Sequence, residues 1–121
     1  MKRPLQALLI APDDGVRASI INGRKTGTVR FGLRDYSDGP VVLCCHLIPW
    51  AIMADVVKVT HTLLGNLSQA QIEADGFDSL EAMLADLRKF YPGMQADSPV
   101  TYIEWTNVHG ALVDRANQIA K

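Results

Sequence analysis

A lysine and a threonine three residues apart, Lys25 and Thr28, sit in the most chemically loaded stretch of this chain, Ile20-Ile21-Asn22-Gly23-Arg24-Lys25-Thr26-Gly27-Thr28-Val29-Arg30. A threonine hydroxyl is a poor nucleophile until a base removes its proton. A lysine can be that base when burial or a neighbouring cation depresses its proton affinity. Arg24 and Arg30 would supply the positive field, and Gly27 would let backbone approach a ligand closely. The competing reading is a basic surface strand, with Lys25 paired to an acid and Thr28 present for its β-propensity. Strand alternation puts Lys25, Gly27 and Val29 on one face and Thr26, Thr28 and Arg30 on the other. A working Lys25–Thr28 pair therefore predicts a bulge, which Gly27 would permit.

Other residues extend this constellation. Glu73 and Asp75 offer a carboxylate that would hydrogen-bond the exocyclic amine of a pyrimidine or protonate a leaving amine; the alternative is helix-end solvation. Arg30 and Arg34 would fork onto a phosphate, or each would pair with Asp35 or Asp38. Arg24 and Thr26 are further candidate ligand contacts. Tyr36 and Trp50 are candidate stacking surfaces, whereas Trp105 lies in a strongly apolar strand and reads as core. His46, His61 and His109 lack metal or triad spacing. Cys44 and Cys45 point to opposite faces of a strand, with no second pair to complete a zinc site. No Gly-rich phosphate loop or nucleophile elbow is present. We expect neither a metal nor a cofactor.

The chain has 121 residues, 48% of them hydrophobic and 21% charged, which fits one soluble domain over 1–121. The apolar run Leu5–Ala11 is at the short end for a signal peptide and runs into Asp13-Asp14 with no small-residue cleavage site, and no run reaches membrane-span length, so a cytoplasmic protein is expected. Net charge is −1 but unevenly spread: residues 1–34 hold seven Lys/Arg against two acids, and residues 35–121 hold five against eleven. A local anionic-ligand site fits this better than a general polyanion surface.

The elements that must position these groups follow from periodicity. Gln6–Ala11 reads as a buried strand. Asp13-Asp14 caps a short helix striped by Val16, Ile20 and Ile21 that stops at Asn22-Gly23. A strand from Lys25 to Phe31 follows, then a turn-rich stretch over Gly32–Pro40. Val41–Leu47 is expected as a central strand and Ala54–Leu63 as another. Ser68 caps a helix over Gln69–Ala74, broken by Asp75-Gly76. Asp78-Ser79 with Glu81 opens an amphipathic helix whose buried stripe is Leu80, Met83, Leu84, Leu87 and Phe90. Pro99–Thr106 is a last strand, with a possible extra helix within 110–121. This order does not alternate as a doubly wound sheet requires, so an α+β fold is expected, a small mixed or antiparallel barrel flanked by helices.

Five features together resemble the ASCH family of the PUA-like superfamily: the helix ending Gly23-Arg24-Lys25-Thr26, the Thr28-Val29-Arg30 strand, the Asp75-Gly76-Phe77 break, the helix ending Phe90-Tyr91-Pro92, and the Val100–Trp105 strand. The resemblance implies a small PUA-like barrel with a cleft and a partner that is RNA or a modified nucleoside. One branch it resembles comprises small bacterial amidohydrolases that remove acetyl from the exocyclic amine of acetylated cytidine. That likeness would make Lys25 the base, Thr28 the nucleophile and Asp75 the carboxylate orienting the substrate amine. The leading expectation is a domain binding a nucleobase, nucleoside or single-stranded RNA element. The alternatives are the amidohydrolase, a metal-independent ribonuclease, and a protein-interaction module using Leu80–Phe90.

Overall fold

The computed structural model describes residues 5–11, 13–45 and 48–110; the expected helix at 111–121 and His46 lie outside them. The elements run β1 (Gln6–Leu9), α1 (Asp14–Ile21), β2 (Gly27–Phe31), β3 (Gly39–Cys44), β4 (Ala51–Leu63), a 3-10 turn (Leu64–Asn66), α2 (Gln69–Ala74), α3 (Leu80–Leu87) and β5 (Pro99–His109). They form one five-stranded mixed sheet in the order β1-β3-β4-β5-β2, curled into a half-barrel, so the fold is α+β. Only the β1–β3 pair is parallel; the other three are antiparallel. Among the described residues no helix is long and apolar enough to cross a membrane.

The strand expected over 41–47 is β3, which runs Gly39–Cys44 and is an interior strand as expected, paired with β1 on one side and with the long β4 on the other. β5 shows why an apolar run can cover two faces. Val100 and Tyr102 enter one core with Ile72, Met83 and Leu87 of α2 and α3, while Ile103 and Trp105 enter the other with Ile20 of α1. Side chains alternate across a strand, so helices on both faces bury both sets. Helix starts follow their caps: Asp13, Ser68 and Ser79 each accept backbone N–H groups of the first turn.

The curl brings the two edge strands close together. Arg30 on β2 reaches across to donate from Nη2 to the Leu9 carbonyl of β1 at 2.6 Å. The seam is therefore bridged by a side chain.

Gly27 has a structural reason different from the expected one. A Cβ there would lie 2.8 Å from the Tyr102 hydroxyl and 2.9 Å from its ring, so the space is filled by Tyr102 and not by a ligand. Gly27→Ala is expected to destabilise the protein by about 1–3 kcal/mol in urea unfolding. Gly93→Ala, where a Cβ meets nothing within 4 Å, is the control and should stay within about 0.5 kcal/mol.

Candidate functional site

Lys25 reaches the interior because α1 ends sharply. Asn22 caps the helix and Gly23 adopts φ +84°, the left-handed conformation that favours glycine. The chain then folds back so that the Ser19 carbonyl accepts from the backbone N–H groups of both Arg24 (2.9 Å) and Lys25 (3.0 Å). Lys25 is left only 7% exposed. Its ammonium donates to the carbonyls of Gly27 and Asp75, both at 2.9 Å, and to the Asp75 carboxylate. An ammonium has three protons, and three acceptors meet them.

Asp75 is the C-cap of α2, followed by Gly76 at φ +99°, and it is as buried as Lys25. The adjacent Ala74 carbonyl accepts from the Thr26 backbone N–H at 2.8 Å. The open end of α2 is thus closed by the Lys25-Thr26 segment, with a cation at the helix's negative end. β2 begins only at Gly27, so Lys25 precedes the ladder and alternation does not govern it. Lys25 and Thr28 border one pocket without a bulge.

That pocket has a volume of about 270 Å³ and lies at the seam between β1 and β2. Lys25, Thr28, Arg30 and Asp75 make its polar end. Leu9, Ile10 and Val16 line one side, and Phe77, Leu87, Phe90 and Tyr91 the other. Thr28 is 6% exposed, and its hydroxyl makes no hydrogen bond to a described residue. Arg30 Nε is buried without a partner among the described residues. Tyr91 is held edge-on by Phe31, with ring centroids 5.4 Å apart and planes at 85°. Phe90 is 63% exposed at the rim, which corrects its expected place in the buried stripe: α3 stops at Leu87, and Phe90 lies beyond the helix.

Six other sequence candidates do not line the pocket. Arg24 is exposed. Thr26 serves through its backbone. Arg34 donates from Nε to the Phe31 carbonyl at 2.8 Å, and the Tyr36 hydroxyl donates to the Ala7 carbonyl at 3.0 Å. Trp50 packs on the α1-side core, and Glu73 accepts from Gln69 on the surface of α2. Sequence reasoning missed Asp86 and Tyr91 as pocket residues. Tyr91 had a signal, since it belongs to the Phe90-Tyr91-Pro92 motif that follows α3. Asp86, between apolar helix positions, had none. No group of three or more His, Cys, Asp or Glu among the described residues is placed to hold a metal ion.

Burial raises the Asp75 carboxyl above the ordinary carboxylate range, and Lys25, Arg30 and the Val29 backbone N–H offset this only in part. Burial, with Glu104 and Asp75 nearby, also raises the Tyr102 phenol, whose hydroxyl donates to Glu104 at 2.8 Å. A raised acid favours the folded state while protonated. The stability contributed by Asp75 is therefore present at low pH and lost as pH rises from about 3.9 through the raised value. The carboxyl carbon of Asp75, followed by NMR, should titrate with a midpoint above about 3.9; a midpoint at or below that contradicts the burial argument.

No protein-family model matches the sequence, and no curated protein matches it with significance. Solved structures do. An ASCH domain from Lactobacillus crispatus is similar at a TM-score of 0.63 and 12% identity, over 84% of this chain and 78% of that one. A DUF984 protein from Enterococcus faecalis is similar at 0.61 and 11%, over 90% and 84%. A mutant ASCH protein from Zymomonas mobilis is similar at 0.58 and 13%, over 85% and 66%. Identities this low carry the architecture and not the chemistry. The chain has the fold of the ASCH domains.

Proposed function

We propose that the seam pocket binds a nucleobase, either of a free nucleoside or of a single-stranded RNA element. One observation carries this reading. A buried Lys25–Asp75 pair and a Thr28 hydroxyl with no hydrogen bond to a described residue open into a pocket of about 270 Å³ whose other walls are aliphatic and aromatic. A flat ring with a polar edge matches that division. The volume lies just under the usual small-molecule range of about 300–1,000 Å³, which suits a group the size of one base. Phe90, exposed at the rim, offers a face for stacking, and Thr28 both donates and accepts.

Binding is favoured over catalysis because all three Lys25 protons are engaged. To take the Thr28 proton, Lys25 would first have to lose a proton and release a carbonyl. The amidohydrolase reading keeps one supporting observation: Lys25, Thr28 and Asp75, the three residues the ASCH resemblance singles out, border the same pocket. In that chemistry Thr28 Oγ attacks the acetyl carbonyl while Lys25 takes its proton. The C–N bond then breaks, and the cytidine amine leaves with a proton. Water hydrolyses the acetyl-threonine ester to acetate.

Titration with cytidine and with acetylated cytidine, followed by amide NMR, tests the binding reading. Saturable shifts at Thr28, Asp75 and Phe77 are expected. Thr28→Val, which keeps the side-chain shape, should weaken binding about tenfold, the worth of one hydrogen bond. Phe90→Ala should weaken it by about 1–3 kcal/mol without loss of fold. Shifts confined to other surfaces would overturn the proposal. Release of cytidine from the acetylated form by wild type, absent in Thr28→Val, would establish the enzyme instead.

A further inference from the structure

We propose that Asp86 makes the pocket selective for uncharged ligands, so that a free base or nucleoside is taken in preference to a phosphate-bearing one. The inference rests on the reading of the pocket as a base site. Four charged side chains line it: Lys25, Arg30, Asp75 and Asp86. Their formal charges cancel. Lys25 is committed to Asp75. Arg30 retains positive charge, yet one arm of its guanidinium already holds the Leu9 carbonyl across the seam.

Asp86 comes from the α3 wall and has no comparable commitment. Its ion-pair partner is Lys89, one helical turn away at 3.5 Å, with side-chain exposures of 42% for Asp86 and 72% for Lys89. Exposed pairs of this kind are screened and hold a charge only weakly. Asp86 therefore remains an anionic acceptor at a pocket that also contains Arg30. A phosphate seeking Arg30 must sit beside that carboxylate in a partly desolvated space, where like charges repel strongly. A ribose hydroxyl, by contrast, donates to it. The same carboxylate thus attracts one class of ligand and rejects the other. Among the described residues, Asp86 and Asp75 are the only acids that line the pocket, and Asp75 is already matched by Lys25.

The test compares cytidine with cytidine 5′-monophosphate on wild type, Asp86→Asn and Lys89→Gln at low salt, by calorimetry. Wild type should bind the nucleoside at least about tenfold more tightly than the monophosphate. Asp86→Asn should bring the ratio close to one, chiefly by improving monophosphate binding, while Lys89→Gln should widen it. Molar salt should also compress the wild-type ratio, because it screens the repulsion. A helix-surface role for Asp86 would leave the ratio unmoved. Equal or tighter monophosphate binding by wild type, or an unchanged ratio in Asp86→Asn, overturns the inference while leaving the base site standing. Failure of both ligands to bind wild type overturns the base site and this inference with it.

Discussion

Two opposite charges buried together, Lys25 and Asp75, are the constraint on which this structure turns. Removing a cation and a carboxylate from water costs several kcal/mol per ion, and the pair survives only where further hydrogen bonds complete it. Here they do. The ammonium is shared between the carboxylate, the last carbonyl of the α2 cap and the Gly27 carbonyl at the free edge of β2. One side chain therefore joins the helix end to the sheet edge. The pocket's polar end is a by-product of that joint, so any ligand chemistry there inherits its geometry from a structural requirement.

Edge management extends the same logic around the seam. A half-barrel leaves two strands with unpaired backbone groups, and unpaired edges invite association. On β2 the Gly27 and Phe31 carbonyls accept from Lys25 and Arg34; on β1 the Ala7 and Leu9 carbonyls accept from Tyr36 and Arg30. Four polar side chains thus cap what a fifth pairing would have closed. This explains why Arg34 and Tyr36, attractive as ligand contacts in the sequence, are absent from the pocket lining. Their polar ends serve the backbone. Arg30 does both, bridging the seam and lining the pocket.

Much of this was legible before any coordinates. The Asn22-Gly23 stop, the caps at Asp13, Ser68 and Ser79, and the apolar run of β5 are local signals, and each element formed where they pointed. The irregular strand clustering gave the α+β class, and the motif order gave the ASCH fold. What failed depended on distant partners. Whether Lys25 faces inward turned on where β2 begins, which is set by pairing with β5 and by the Ala74 carbonyl. The choice between Glu73 and Asp75 turned on one helical residue: Glu73 lies on the solvent side of α2 while Asp75 caps it. Gly27 answers to Tyr102, 75 positions away in the chain, and Phe90 left its stripe because the helix ended early. Periodicity cannot see such tertiary contacts.

The most direct test of the central joint is a double-mutant cycle on Lys25→Met and Asp75→Leu, read by urea unfolding. Each single change strands a buried charge and should cost about 3–5 kcal/mol, whereas the double replacement leaves no charge unpaired. The predicted result is a double variant less destabilised than the sum of the singles by at least about 2 kcal/mol. Additive costs, with no coupling between the two positions, would contradict the account.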